Sequence, residues 1–183
     1  MIKISQNEFI ETFRPQSAAD LADFFRQIQK DKTRVVVLII ENSLEIEASF
    51  WKTPENSEIP VILALKSSAV AGFVDSCHLC LASESAKIGE LSAAEALKSG
   101  LINKITSSDR VEPEAFALAE KISRLAPPAI RACLKAVREG SKLPLEEGLQ
   151  IESELFAQIF STADMREGTR AFLEKRKPVF SGK

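Results

Sequence analysis

The sequence has few of the residues that mark a secreted, membrane-bound or metal-dependent protein. Its apolar runs are shorter than the ~20 residues that a membrane-spanning helix needs, and its 183 residues include three cysteines and one histidine. The odd cysteine count and the lack of a signal peptide predict a reducing compartment, and we expect the cytoplasm. The balance of 24 basic and 26 acidic side chains gives a net charge of −2, which indicates that neither nucleic acid nor an anionic membrane is the main partner.

The single histidine, His78, lies between two of the three cysteines, Cys77 and Cys80. A tetrahedral metal site needs three or four ligands at workable angles, which such close neighbours in sequence rarely supply. A nucleophilic Cys–His pair also has the wrong spacing, because adjacent side chains point in different directions on a helix or a strand. We therefore expect no metal site and a partly buried, structural His78.

Apolar residues make up 45% of the chain, which is enough to form the core of one compact domain. Ser17 followed by Asp20 resembles a helix cap before a helical apolar pattern at Leu21 and Phe24. The runs at 34–40 and 60–65 are continuously apolar, as in strands that are covered on both faces. Beyond them the pattern is helical, and we expect four helices at 113–124, 127–138, 145–160 and 167–176.

Several segments have a familiar form, and together they cover most of the chain from about Arg34 onward. They are "PVILALKS", "LASESAKIG", "SAAEALKSGLINKI" and the closing "LPLEEGLQIESELFAQIFSTADMREGTRAFLEKRKPVFSG". With these segments the chain resembles the crotonase superfamily, the enoyl-CoA hydratases and isomerases, as a shortened and divergent member. The resemblance implies an α/β fold with a reduced crotonase-like ββα spiral core (1–111) and a C-terminal helical region (112–183), in one single domain.

In that family, two backbone N–H groups bind the carbonyl oxygen of an acyl thioester in an oxyanion hole, and one or two carboxylates move protons. The resemblance places one donor at Ala71 and Gly72, before a short helix at 73–80. A lone glycine between apolar stretches is also typical of a simple bend. The other donor belongs to the loop after the first apolar strand, but the segment 41–60 contains no glycine to provide unusual backbone angles.

The candidate carboxylates are Asp75 and Glu90. Glu90 stands at a junction, because "SAKIGE" is followed at once by "LSAAEALKSG". Family members carry a long segment at this point, with the second carboxylate and a glycine-rich loop, so the resemblance implies a deletion between Glu90 and Leu91. Both acids also fit the description of ordinary solvated surface residues.

The closing motif "AFLEKRKPVF" implies a contact with coenzyme A. Phe172 occupies the position that approaches adenine, and Lys175 the position that approaches a phosphate, often in an adjacent subunit. The alternative is a basic helix end that complements its own dipole. We expect no prosthetic group, and a thioester of coenzyme A or of acyl carrier protein as the ligand.

Three classes of function remain open: an enzyme with altered catalysis, a non-catalytic scaffold or partner subunit that keeps a thioester pocket, and a purely structural homologue. We expect hydration to be reduced to traces, because a hydratase needs an acid and a base around one water molecule. We also expect a homo-oligomer, most simply a trimer. That expectation depends on an apolar stripe larger than a reduced core covers, formed by Leu145, Leu149, Glu152, Leu155, Phe156 and Ile159.

Overall fold

The computed structural model describes residues 7–28, 32–43 and 53–183. Strands and helices alternate along the first part of the chain, and helices fill the last part. The strands are β1 (Ile10–Phe13), β2 (Val35–Ile40), β3 (Val61–Leu65), β4 (Ser68–Ala69), β5 (Leu79–Ser83), β6 (Lys87–Ile88), β7 (Leu91–Ser92) and β8 (Lys104–Thr106). The main helices are α1 (Ala18–Gln27), α2 (Ala71–Ser76), α3 (Ala93–Lys98), α4 (Val111–Ser123), α5 (Pro127–Gly140), α6 (Leu145–Ile159) and α7 (Ala163–Leu173).

Two sheets organise the first part of the chain. The larger sheet is parallel, with five strands in the order β1-β2-β3-β5-β8, and the smaller has three strands in the order β4-β6-β7. In two turns of the chain, a longer strand of the first sheet is followed by one or two short strands of the second sheet and then by a helix. These are β3, β4 and α2, and then β5, β6, β7 and α3. This is the expected ββα spiral, and the predicted fold class is confirmed.

The core lies on both faces of the larger sheet. Every residue of β2 and β3 is buried, because their continuous apolar side chains meet a covering layer on each side. On one face Leu38 packs with Leu21 and Phe24 of α1, and on the other Val37 packs with Ala115 of α4. The predicted strands at 34–40 and 60–65 are therefore confirmed to within one residue.

Helix α1 begins as predicted, with the Ser17 hydroxyl oxygen accepting the Asp20 N–H at 3.1 Å. The short helix expected at 73–80 lies earlier in the sequence and begins at Ala71. Helix α2 instead ends at Ser76, whose hydroxyl donates to the Phe73 carbonyl oxygen at 2.6 Å. The next residue, Cys77, is extended and leads directly into β5.

Contacts divide the chain into two compact units, unit 1 up to Ile122 and unit 2 from Ser123 onward. Our expected boundary at 111/112 inside a single domain stays a prediction. Unit 2 contains α5, α6 and α7. In the described ranges, no helix is long and apolar enough to cross a membrane.

All four predicted helices from position 113 onward are present, with ends that differ from the prediction by up to four residues. Helix α4 begins at Val111 and holds Pro113 in its first turn, and α7 covers 163–173 instead of 167–176. The start of α7 is fixed by Thr162, whose hydroxyl oxygen accepts the Met165 N–H at 3.1 Å. Helix α5 begins at Pro127, as expected of proline in a first turn.

Candidate active site

The junction at Glu90 is a β-hairpin with a two-residue loop. Strands β6 and β7 are antiparallel, and Ile88 pairs with Leu91, so that Gly89 and Glu90 form the connection between them. Gly89 has a φ of +57°, whereas Glu90 does not have a positive φ, which is the pattern of a type II′ turn with glycine first. The two family-like segments are thus joined by a regular hairpin.

The turn lies against the start of α2. The Gly89 N–H donates to the Ala69 carbonyl oxygen at 2.8 Å, and a Cβ placed on Gly89 would lie 3.7 Å from the Cβ of Ala71 and 3.9 Å from its nitrogen. The structure therefore brings Ala71 and the residue before Glu90 into contact. A Cβ at that distance would be in ordinary contact, so the positive φ of Gly89 is what favours glycine here.

Two N–H groups at the start of α2 have no hydrogen-bond partner among the described residues. The Phe73 and Val74 N–H groups donate to the Val70 carbonyl oxygen at 3.0 and 3.2 Å. In the described part of the chain no hydrogen bond uses the N–H of Ala71 or Gly72, and Val70 supplies no side-chain cap. The first N–H groups of any helix lack intrahelical acceptors, and these two are half-buried.

The two candidate carboxylates lie near this point but are open to solvent. Glu90 follows Gly89 in the turn, and Asp75 lies one helical turn beyond Ala71 on the same face of α2, about 5–6 Å away between Cβ atoms at such spacing. Both residues are exposed. The four predicted residues Ala71, Gly72, Asp75 and Glu90 thus lie in one neighbourhood, with the acids on its outer side.

Nine residues of the expected first donor loop, 44–52 within 41–60, lie outside the described residues. Its place in the site stays a prediction.

His78 has a structural position. Its ring Nδ1 accepts the Val61 backbone N–H at 3.0 Å, and the backbone N–H of His78 donates to the Val61 carbonyl oxygen at 3.1 Å. Burial raises the pKa of the Cys77 thiol well above its ordinary range and that of Cys80 to about 12, so neither is a ready nucleophile. Among the described residues no group of three or more His, Cys, Asp or Glu side chains could hold a metal ion.

Phe172 and Lys175 lie at the end of α7. Phe172 is 81% exposed. Lys175 has a φ of +54°, a left-handed backbone conformation that usually belongs to glycine. The Lys175 and Arg176 N–H groups donate to the carbonyl oxygens of Phe172 and Ala171 at 3.2 and 3.0 Å, which is the Schellman arrangement.

The residues after α7 return along the helix, and two acids hold them there. The buried Asp164 carboxylate accepts the N–H groups of Ser181 at 2.7 Å and Gly182 at 3.0 Å. Glu167 accepts two hydrogen bonds from the Arg176 guanidinium at 2.6 and 2.9 Å and one from the Val179 N–H at 2.9 Å. These bonds lower the pKa of Glu167 to about 2.

A charged cluster at the carboxyl ends of the strands was not predicted. Arg14, Glu41 and Lys66 are the first residues after β1, β2 and β3, and Glu112 comes from α4. The Lys66 ammonium lies 3.2 Å from Glu112 and 3.3 Å from Glu41, and Arg14 pairs with both acids. The signal was present in the sequence, because the ends of neighbouring parallel strands meet at one edge of a sheet.

Unit 2 contains an apolar groove of about 590 Å³. Its walls are α5 and α6, which approach so closely that a Cβ on Gly148 would lie 2.9 Å from the Gly140 carbonyl oxygen. All six residues of the predicted stripe line this groove. Leu145 and Phe156 are 77% and 60% exposed.

The sheet order and the ββα spiral define a crotonase-like protein, and comparison with known proteins agrees. The fold is similar to that of an enoyl-CoA hydratase from Bacillus anthracis, with a TM-score of 0.88 and 22% sequence identity over 100% of this chain and 99% of that one. The family model for enoyl-CoA hydratase/isomerase matches residues 80–183. The chain therefore belongs to the enoyl-CoA hydratase/isomerase family.

Two curated relatives show how the chain differs from longer members. A probable enoyl-CoA hydratase from Rhizobium meliloti is 31% identical over 168 residues, covering 71% of this chain but 65% of the relative, less than two thirds of its length. The (E)-benzylidenesuccinyl-CoA hydratase of Thauera aromatica is 28% identical over 247 residues, covering 99% of this chain and 94% of the relative. That alignment is longer than the chain itself, so the relative has residues without a counterpart here, as an internal deletion requires.

Proposed function

We propose that the protein binds an acyl thioester of coenzyme A, or of acyl carrier protein, at the start of α2. The observation that carries this proposal is that the N–H groups of Ala71 and Gly72, beside the Gly89–Glu90 turn, have no hydrogen-bond partner among the described residues. Paired donors stabilise the negative charge that develops on a thioester oxygen, and the positive end of a helix adds to their effect.

The same geometry leads us to propose that hydration is reduced to traces. A hydratase needs an acid and a base around one water molecule, and both acids here are exposed. Charges act weakly across water, because its dielectric constant screens them. Any remaining turnover should be isomerase-like or decarboxylase-like and depend on Asp75 or Glu90. A non-catalytic scaffold is the second candidate, and the exposure of both acids favours it.

The first experiment separates these candidates. Purified protein is assayed for loss of the enoyl absorbance of crotonyl-CoA, together with Asp75→Asn, Glu90→Gln and the exposed control Glu84→Gln. We expect trace hydration or none, with any residual turnover lost in one of the first two variants and kept in the control. Turnover near the ~10 s⁻¹ that is typical of enzymes would contradict the proposal, and its survival in both variants would place the acid elsewhere.

We further propose that Phe172 and Lys175 contact the nucleotide end of coenzyme A in the same or an adjacent subunit. An exposed aromatic face can stack on adenine, and a lysine can meet a phosphate. Titration calorimetry with an acyl-CoA should therefore show weaker binding for Phe172→Ala and Lys175→Ala. The matched controls are Leu173→Ala, which is 75% exposed beside Phe172, and Lys177→Ala. Equal affinities in all four variants would remove α7 from the site.

Finally, we propose that the protein forms a homo-oligomer, most simply a trimer, through the groove of unit 2. Large apolar patches on a surface mark interaction sites. Light scattering at micromolar concentration should give a multiple of the 20.1 kDa chain mass, and Phe156→Glu should lower it. A monomeric mass at that concentration would contradict the proposal.

A further inference from the structure

The charged cluster of Arg14, Glu41, Lys66 and Glu112 has no role in the chemistry proposed above. One of its members, Lys66, is the residue from which the segment 67–70 leads to α2. We propose that Lys66 is a positioning residue, which holds this segment so that the Ala71 and Gly72 N–H groups keep their direction. The inference goes beyond the thioester site and rests on that proposal for its functional meaning.

Lys66 is fixed by its side chain and by its backbone. Its ammonium, 23% exposed, contacts Glu41 and Glu112 at 3.3 and 3.2 Å. Its N–H donates to the Ile40 carbonyl oxygen at 2.8 Å, and its carbonyl oxygen accepts the Ser83 hydroxyl at 3.0 Å. Contacts with β2, β5 and α4 therefore converge on one residue.

From Lys66, a short segment that contains strand β4, paired with β6, leads to the donors. The Ser67 carbonyl oxygen accepts the Lys87 N–H at 3.3 Å, and the Ala69 carbonyl oxygen accepts the Gly89 N–H at 2.8 Å. The second of these bonds also ties the segment to the Gly89–Glu90 turn. A shift of Lys66 would therefore move the start of α2 and the turn together.

Removal of the Lys66 charge should loosen the segment, because Glu41 and Glu112 both lose a cation that they contact. Among the described residues, Glu41 and Glu112 would then share one cation, Arg14, and a partly buried carboxylate with less than a full counter-charge is unfavourable. The two acids would then repel each other, and residue 66 would lose its ion pair with Glu112 of α4.

The test compares Lys66→Met with Lys66→Arg and with a matched control, Lys104→Met. Lys104, the first residue of β8, likewise contacts an α4 glutamate, Glu114, at 2.6 Å, but it precedes no donor. Amide hydrogen exchange of Phe73 and Gly89 reports the segment. The amide of Val36, bonded to the Pro60 carbonyl oxygen, reports global opening in the same spectra.

We expect Lys66→Met to speed exchange at Phe73 and Gly89 by about tenfold relative to Val36, as in a local opening. Lys66→Arg should restore the slow rate, and Lys104→Met should leave it unchanged. Equal rates in Lys66→Met and Lys104→Met would overturn the inference. If Lys66→Met does not fold, Glu112→Gln removes one partner charge at nearly constant shape and allows the same comparison.

A second measurement separates this inference from the proposed function. A conjugated aryl-enoyl thioester of coenzyme A absorbs at longer wavelength when its carbonyl is polarised. We expect this shift with the unaltered protein and with Lys66→Arg, and its loss in Lys66→Met. Faster exchange in Lys66→Met without any shift in the unaltered protein would reject the thioester site while supporting the hold of Lys66 on the segment. A full shift in Lys66→Met would reject its positioning role.

Discussion

Units 1 and 2 keep their structure by different means. In unit 1, strands β2 and β3 are buried at every residue. In unit 2, α5 has no buried residue and α6 has one, Leu155. The central strands of unit 1 thus bury their apolar side chains within the chain, whereas α5 and α6 of unit 2 leave most of theirs at least partly exposed to solvent or to a binding partner.

Hydrogen bonds to two acids hold the C-terminal residues of unit 2. The residues after α7 are held by Asp164 and Glu167 through hydrogen bonds to N–H groups and to Arg176. Contacts of this kind depend on charge and pH, whereas burial of apolar surface does not. The two units should therefore respond differently to the same kind of perturbation.

The largest contrast should come from two phenylalanines. Phe73 is fully buried and Phe156 is 60% exposed. We expect Phe73→Ala to lower the free energy of unfolding by about 3–5 kcal/mol, because it opens a core cavity, and Phe156→Ala to change it by about 0.5 kcal/mol or less in the monomer. Urea unfolding followed by circular dichroism would measure both. Equal losses would mean that the groove is part of the core of the single chain.

A smaller effect should follow from loss of the Asp164 carboxylate. Asp164→Ala leaves the Ser181 and Gly182 N–H groups without their acceptor, and hydrogen bonds to charged groups contribute about 1.5–3 kcal/mol. We expect faster amide exchange at both residues and a less stable unit 2. Asp164→Asn, which keeps one carbonyl oxygen, should retain part of the protection. Unchanged exchange in the alanine variant would show that the C-terminal residues are held by other contacts.

The next substitution should increase the stability of unit 2 instead of lowering it. Lys175 has a left-handed backbone conformation that costs a side-chain-bearing residue roughly 1–2 kcal/mol. Lys175→Gly should therefore raise the thermal midpoint of unit 2, while acyl-CoA affinity falls if Lys175 contacts a phosphate. Lys177→Gly, where φ is not positive, should not stabilise. A lower midpoint for Lys175→Gly would contradict the strain argument.

The smallest effect is a pH response confined to the residues after α7. Arg176 and the Val179 N–H lower the pKa of Glu167 from 4.5 to about 2. Because the folded pKa is the lower one, the contact is fully stabilising above the unfolded value and is lost as the pH falls from 4.5 toward 2. The Val179 amide resonance should shift over that interval, and Glu167→Gln should abolish the shift. A shift centred at ordinary glutamate pKa would contradict the pairing.

The sequence predicts the fold well where one physical cause dominates. Continuous apolar residues fix β2 and β3, and Ser17 fixes the start of α1, because each signal is local and strong. It predicts helix ends less well. Helix α7 ends at Leu173, and the left-handed residue that follows its cap is Lys175, where glycine would be the usual signal. The limits of α2 depend on contacts that no local pattern records.

The candidate site is predictable in part for the same reason. Family resemblance places Ala71, Gly72, Asp75 and Glu90, and the structure brings them into one neighbourhood. Whether an N–H group is unpaired, or a carboxylate exposed, depends on tertiary packing. The cluster around Lys66 was missed because its members are far apart in sequence and each is an ordinary surface charge when considered alone.

The hairpin at Gly89 and Glu90 also bears on how such a protein can diverge. Its two strands are paired up to the turn, so a segment inserted there would begin and end at adjacent points. The free energy of closing a loop rises only slowly with its length, and exposed turns tolerate insertion well. At this point of the fold, a long covering segment can be lost or regained in evolution, or grafted in the laboratory, while the strands beneath it keep their register.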